Sequence, residues 1–157
     1  MRRATVITVS DRSAAGVRED ASGPAAVALL RDAGWECADA VVVPDGADRV
    51  EAALRAALTT GAQLIVTTGG TGLSPRDETP EGTARVIERA VPGISEELRR
   101  IGAAHKPAGL LSRGLAGVAG GALIVNLPGS PAAVASGVPV VLSVAGHVAS
   151  QLAGGDH

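Results

Sequence analysis

The chain has 157 residues, among them 21 Gly and 9 Pro, with no Phe or Tyr and with Trp35 as its one aromatic. That length predicts a single domain, residues 1–157, able to bury roughly 70% of its unfolded surface without metal or disulfide staples, and the lone Cys37 excludes an internal disulfide framework. Lys plus Arg number 14 against 16 Asp plus Glu, a formal net charge of −2, so neither a basic excess nor a stacking platform points to nucleic acid.

Ala4–Val9 reads as a buried first strand, too short for a secretory segment, and Asp11–Asp20 as a polar loop. Pro24 lies near the first turn of a short helix that Gly34 ends. Trp35–Val43 is strand-like and stops at Pro44. Asp45 is placed to cap a helix with Val50, Leu54 and Leu58 on one face, closed by Gly61. Gln63–Thr68, dense in β-branched residues, is the third strand. Thr79 and Pro80 read as the cap and first position of a helix carrying Ala84, Ile87 and Val91. Pro92 and Gly93 interrupt it, and a second helix carries Ile94, Leu98 and Ile101. Ala122–Leu127 is a further strand, and the turn Pro128–Pro131 leads into a helical carboxyl terminus. Strands alternating with helices predict an α/β fold: a three-layer, doubly wound, mostly parallel sheet with helices on both faces.

From Gly114 to Gly155 there is no Asp, Glu, Lys or Arg. Pro128, Pro131 and Pro139 are expected to break this stretch into pieces shorter than the ~20 apolar residues a membrane span needs. Burial in the core or at a subunit interface is therefore expected. With no targeting segment recognised, the expected location is cytoplasmic.

In open α/β sheets ligands bind beyond the carboxyl ends of the strands. Four such ends carry residues that a core does not need: Ser10 and Asp11, Pro44 and Asp45, the cluster Thr68-Gly69-Gly70-Thr71-Gly72, and Asn126 to Ser130. Consecutive glycines let backbone N–H groups approach a phosphate without Cβ obstruction, although a tight turn alone explains them equally well. The cluster is neither a Walker A loop nor a dinucleotide fingerprint. Ser74 to Glu81 follows with three carboxylates and an arginine. Taken alone it is a solvated loop and helix cap. After a phosphate-binding turn, Asp77 and Glu78 could supply charge for Mg²⁺, with Asp45 as a second source. His105, His147 and His157 lack metal-ligand spacing, Cys37 reads as a small buried hydrophobe, and no serine sits in a nucleophile elbow.

Thr68 to Gly72, the run Arg76-Asp77-x-Thr79-Pro80-Glu81, Ser10-Asp11-Arg12, Pro44-Asp45, Leu111-Ser112-Arg113 and Asn126-Leu127-Pro128-Gly129-Ser130-Pro131 together resemble the molybdopterin adenylyltransferase family of the MogA/MoaB type, over essentially the whole chain. The resemblance implies a homotrimer in molybdenum cofactor synthesis that uses ATP and Mg²⁺ to adenylylate molybdopterin and hands the product to a molybdate-insertion enzyme, with no part for nucleic acid or membrane. It implies Asp45 and Asp77 as the essential carboxylates and metal holders. Gly69, Gly70, Thr71 and Gly72, with Ser10 and Asp11, would line the nucleotide pocket. Ser112, Asn126, Pro128, Gly129 and Ser130 would hold the pterin and its phosphate. Two other readings remain: a protein of the same pathway that binds molybdopterin without catalysis, and a pyrophosphatase-like hydrolase, against which the short length and the Arg76 to Glu81 run argue.

Overall fold

A seven-stranded sheet forms the centre of the computed structural model, which describes residues 1–156. In chain order its strands are β1 (Arg3–Val9), β2 (Glu36–Cys37), β3 (Val41–Val43), β4 (Leu64–Thr68), β5 (Arg89–Ala90), β6 (Ala116–Ala119) and β7 (Ala122–Leu127). The helices are α1 (Asp11–Ala14), α2 (Ser22–Asp32), α3 (Ala47–Thr59), α4 (Thr79–Ala84), α5 (Pro92–His105) and α6 (Pro131–Leu152), with a 3-10 turn at Pro107–Leu111. The order across the sheet is β2-β1-β4-β7-β6-β5, with β3 also beside β1. Strands β1 to β4 and β7 run parallel, while at one side β6 pairs antiparallel with β7 and β5 antiparallel with β6.

The alternation of side chains along the strands separates two cores. Ala4 and Val6 of β1, Leu64 and Val66 of β4, and Leu123, Val125 and Leu127 of β7 pack with Leu30 of α2, Ile94 of α5 and Val134, Val138 and Val141 of α6. The intervening residues Ile7, Val9, Ile65, Ala122 and Ile124 pack with Val50, Leu54 and Ala57 of α3. Register fixes this division: Ala4 pairs with Leu64 and Leu64 with Leu123, so residues of one face stay level across three strands. Aliphatic side chains supply the volume that aromatics usually fill, and each fully buried Leu or Ile contributes roughly 1.5–3 kcal/mol relative to exposure.

Several local expectations need correction. The predicted loop after β1 begins with a helical turn, because the Ser10 Oγ accepts the Ser13 N–H at 3.2 Å. The single strand expected over Trp35–Val43 is two short ones, both laid along β1. Asp45 does not cap α3. Gly46 occupies that position without a side-chain bond, and the Ala47 N–H donates instead to Glu78 Oε2 at 2.8 Å. Thr79 is not a cap either: Glu78 precedes α4, and the Thr79 hydroxyl donates to the Gly69 carbonyl at 2.9 Å. Helix α4 stops at Ala84, leaving Ile87 and Val91 outside it on either side of β5. Pro139 does not break the final helix. It lies inside α6 on an exposed side, and the residue four before it, whose carbonyl loses an amide partner, is exposed as well.

Candidate active site at the carboxyl ends of the strands

Strands β1, β3 and β4 end at one rim, and hydrogen bonds tie their following loops together. The Ser10 N–H donates to the Val43 carbonyl at 2.9 Å. One residue on, the Asp11 N–H donates to Asp45 Oδ2 at 3.1 Å, while the Asp45 N–H donates to Asp11 Oδ1 at 2.9 Å. Asp45 is therefore held by a partner 34 positions away in the chain rather than by its own helix.

After β4 the backbone turns through Gly69 (φ 98°) and Gly70 (φ 69°), conformations that disfavour any residue with a Cβ. Space excludes one too. A Cβ on Gly69 would lie 2.3 Å from the Val9 carbonyl oxygen, and one on Gly70 would meet the Thr79 hydroxyl and come within 3.3 Å of Asp45 Oδ1. A Cβ on Gly72 would lie 2.9 Å from Asp77 Oδ2. Both carboxylates thus border the glycine turn. The Gly69 N–H is already committed to the Leu127 carbonyl at 3.0 Å, so Gly69 shapes the turn but offers no amide to a ligand, against expectation. Among the described residues, the N–H groups of Gly70, Thr71 and Gly72 have no acceptor, although Thr71 itself is buried.

Asp45 is half-buried, and burial pushes its carboxyl above the usual aspartate value; the charges of Asp11 and Asp77 push the same way, while the Asp11 N–H and Arg76 oppose them. Arg76 is only loosely held, its Nη1 lying 3.8 Å from Asp11 Oδ2 with both side chains about half exposed. Asp77 closes its own loop through a bond from the Ser74 N–H to its Oδ2 at 3.1 Å and from its N–H to the Ser74 carbonyl at 2.9 Å.

Gly129, in the turn after β7, sits against the glycine turn, since a Cβ there would be 3.0 Å from the Gly69 Cα. Pro128 and Ser130 flank it half-buried, and the Ser130 Oγ accepts the Ala133 N–H at 3.1 Å, capping α6. Ser112 is half-buried beyond the 3-10 turn, and Arg113, which follows it, donates its N–H to the Thr71 carbonyl at 2.8 Å. Asn126 is not brought to this rim. It is 3% exposed, its Nδ2 donating to the hydroxyls of Thr67 (2.9 Å) and Thr83 (3.0 Å) and its Oδ1 accepting the Leu115 N–H (3.0 Å). The expected ligand contact is an internal tether among β4, α4 and the segment leading into β6. The pattern that reveals this is the period-two alternation of β7, which sets residue 126 with Ala122 and Ile124 on the face toward α3 and α4.

No cluster of three metal-ligating side chains occurs among the described residues. Two carboxylates beside amides without a protein acceptor fit a hard divalent cation that arrives with a phosphate ligand and keeps water in its shell, not one held in a closed protein cage. His105 ends α5 and His147 lies on α6, so among the described residues no histidine is placed at the rim; His157 lies outside them. Two concavities, of about 380 and 490 Å³, lie elsewhere: beneath the sheet near Gln63 and Gly121, and between β3 and α3.

Comparison with known proteins shows the family and the fold. The family model described as "Probable molybdopterin binding domain" matches residues 5–147. The chain is 44% identical over 154 residues to the molybdenum cofactor biosynthesis bifunctional protein of Synechococcus elongatus, covering 98% of this chain and 48% of that one. It is 36% identical over 132 residues to the molybdopterin adenylyltransferase of Haemophilus influenzae, covering 82% of this chain and 67% of that one. The solved structure of the molybdopterin biosynthesis Mog protein from Mycobacterium ulcerans superposes with a TM-score of 0.91 at 43% identity, covering 97% of this chain and 99% of that one. The chain spans about half the length of the bifunctional proteins it matches, 48% and 50% in two cases. By its sequence match and its sheet, with the glycine turn and paired carboxylates at one rim, the chain belongs to the molybdopterin-binding domain family of molybdenum cofactor biosynthesis.

Proposed function

We propose that this chain is a nucleotidyltransferase that adenylylates molybdopterin, using ATP with Mg²⁺ and releasing pyrophosphate. The observation that carries the reading is the placement of Asp45 and Asp77 against a glycine turn whose amides at Gly70, Thr71 and Gly72 have no protein acceptor. Transfer of a nucleotidyl group needs positioning and neutralisation of phosphate charge more than it needs acid or base groups. The terminal phosphate oxygen of the pterin forms a bond to the α-phosphorus of ATP as the bond to the bridging oxygen breaks, and pyrophosphate leaves with that electron pair. The attacking oxygen is already anionic, so the chemistry does not call for a histidine base at the rim.

In this reading the amides of Gly70 to Gly72 hold nucleotide phosphate oxygens, and Ser10 and Asp11 border the same pocket. Ser112, the Pro128–Ser130 turn and the amino end of α6 hold the pterin phosphate, where a helix terminus favours negative charge. Asp45 and Asp77 would hold a divalent cation bound with the nucleotide, which supplies charge neutralisation on the triphosphate. The uncharged outer side of α6 supports assembly into a homotrimer. The remaining parts of the proposal are a cytoplasmic location, hand-off to a molybdate-inserting enzyme, and no role for nucleic acid or membrane.

The test is purified protein with Mg-ATP, with and without molybdopterin. Pyrophosphate release that depends on the pterin is the expected result. Release without pterin would indicate a hydrolase, and tight pterin binding with no turnover would indicate a carrier; either outcome overturns the proposal.

A further inference from the structure

Arg113 spends its side chain on the loop that carries Asp77. Its Nε donates to the Gly72 carbonyl at 2.9 Å and its Nη2 to the Asp77 carbonyl at 2.8 Å, so one planar group spans the loop from end to end. The opposite edge of the guanidinium forks onto Glu81 of α4, Nη1 to Oε2 at 2.7 Å and Nη2 to Oε1 at 3.2 Å. With the Arg113 N–H on the Thr71 carbonyl, the segment 71–77 is gripped at three carbonyls. Between those grips Leu73, Ser74, Pro75 and Arg76 are exposed and bring little packing of their own. A lysine ammonium cannot reproduce a flat fork that satisfies two carbonyls and a carboxylate at once.

We propose that Arg113 is a positioning residue: braced by Glu81, its guanidinium fixes the Gly72–Asp77 loop so that the Asp77 carboxylate stays beside Asp45 and in register with the neighbouring Ser112. This rests on the adenylyl-transfer reading. Gly69 and Gly70 are held separately, by Leu127 and Thr79, so releasing the clamp displaces Asp77 more than it disturbs the start of the turn. Glu81 agrees with a standing contact, its carboxyl held below the usual glutamate value first by the Arg113 hydrogen bonds.

Arg113→Lys and Arg113→Ala are expected to lower kcat by on the order of 10²-fold, the scale of a misplacement of about 1 Å. Half-saturating ATP should rise as well, because the released loop carries Gly72 and Asp77, which in the proposed site hold the nucleotide phosphates and their cation. Free guanidinium, far below denaturing concentrations, should restore part of the turnover of Arg113→Ala, and ammonium should not. Loss of activity that follows loss of folded protein in thermal melts, with no guanidinium rescue, would overturn the proposal, as would Arg113→Lys within about twofold of wild type. Amide hydrogen exchange without ligands separates this idea from the function on which it rests. In Arg113→Lys, the hydrogen-bonded amides of Ser74 and Asp77 should exchange roughly tenfold faster while β4 and β7 keep their protection. Unchanged exchange there rejects the clamp even if adenylyl transfer is demonstrated. A wild-type protein that forms no adenylylated product rejects the function, and the exchange comparison still decides the clamp.

Discussion

Asp11 and Asp45 each accept a hydrogen bond from the other's backbone N–H, at 2.9 and 3.1 Å, so the loops after β1 and β3 are locked by a reciprocal pair. Each carboxylate keeps its second oxygen free of that pair. The arrangement holds a charged group at a strand end without using it to cap a helix, because Glu78 does the capping of α3. Asp11→Ala removes the acceptor for the Asp45 N–H and should cost about 0.5–1.5 kcal/mol of stability, with a clear fall in adenylyl transfer as Asp45 loses its anchor. Asp11→Asn keeps an acceptor oxygen and should retain most of both. Denaturant titration and single-turnover assays of the two variants check the ordering, and equal behaviour would contradict it.

Asp45 itself should link activity and stability to pH. Burial first, then the charges of Asp11 and Asp77, raise its carboxyl above the ordinary 3.8, so the folded chain binds this proton more tightly than the unfolded chain does. Stability from this group therefore falls as pH rises from the unfolded value through the raised folded one, the reverse of a salt-bridged carboxylate. Asp45→Asn, with no charge to bury, should be at least as stable as wild type at neutral pH yet lose turnover. The acid limb of kcat/KM in wild type should lie above the usual aspartate range and move down as Mg²⁺ is added. Melting curves across the acid range and pH–rate profiles at two Mg²⁺ concentrations measure both.

The rim was legible in sequence because each strand end is a local signal: an apolar run that stops at Ser10, at Pro44, at Gly69 or at Pro128. What escaped depends on contacts distant in sequence or on residues with little pattern. Strand β6 holds Ala116 and Gly117, and β5 has only two residues, so neither displays an alternation of its own. The exposed Asp39 lies where the chain leaves β1 between β2 and β3, dividing what composition alone presents as one run. The capping of α3 by Glu78 spans 31 positions and leaves no trace near Asp45, whose residue type fits a cap equally well. Arg113 was visible as part of a motif, but its bonds to Gly72, Asp77 and Glu81 exist only once the loop and α4 are folded together.

The glycines should separate by position rather than by type. At Gly69 an alanine meets both a φ of 98° and the Val9 carbonyl oxygen at 2.3 Å, so Gly69→Ala must move β1 or the turn and should cost at least about 2 kcal/mol. At Gly120 the φ is 55° with no atom within 4 Å of the new methyl, and the cost should stay near 1–2 kcal/mol. Chemical denaturation orders the two, and adenylyl transfer should fail only in Gly69→Ala.

Asn126 is expected to behave as a structural residue. Truncation to alanine strips partners from the Thr67 and Thr83 hydroxyls and from the Leu115 N–H, all beside a side chain that is 3% exposed. A buried donor left unsatisfied costs about 1–3 kcal/mol, so Asn126→Ala should lose at least that much stability. Its affinity for molybdopterin, measured on the folded fraction, should change far less than that of Ser112→Ala. A loss of pterin binding with unchanged stability would return Asn126 to the ligand.

Helix α6 is 22 residues long and contains an 18-residue stretch with a mean hydropathy of 1.7, long and apolar enough to cross a bilayer by length and composition. Its two sides differ, however. Val134, Val138, Val141, Ala145 and Ala149 recur every three or four residues and are buried, most of them against the sheet and α2. The exposed positions include Ala135, Pro139, Ser143, His147 and Ser150, small or polar side chains with no formal charge at neutral pH apart from any on histidine. A lipid-facing helix would carry large apolar groups all round, whereas a surface of small uncharged residues suits close contact with another protein surface. Light scattering should accordingly find an assembly larger than one chain at micromolar concentration. Ala135→Glu, which places a charge on that outer side without touching the core, should shift the protein toward monomer with little loss of secondary structure. A wild-type monomer, or binding of the protein to neutral lipid vesicles, would remove the subunit-interface reading of α6.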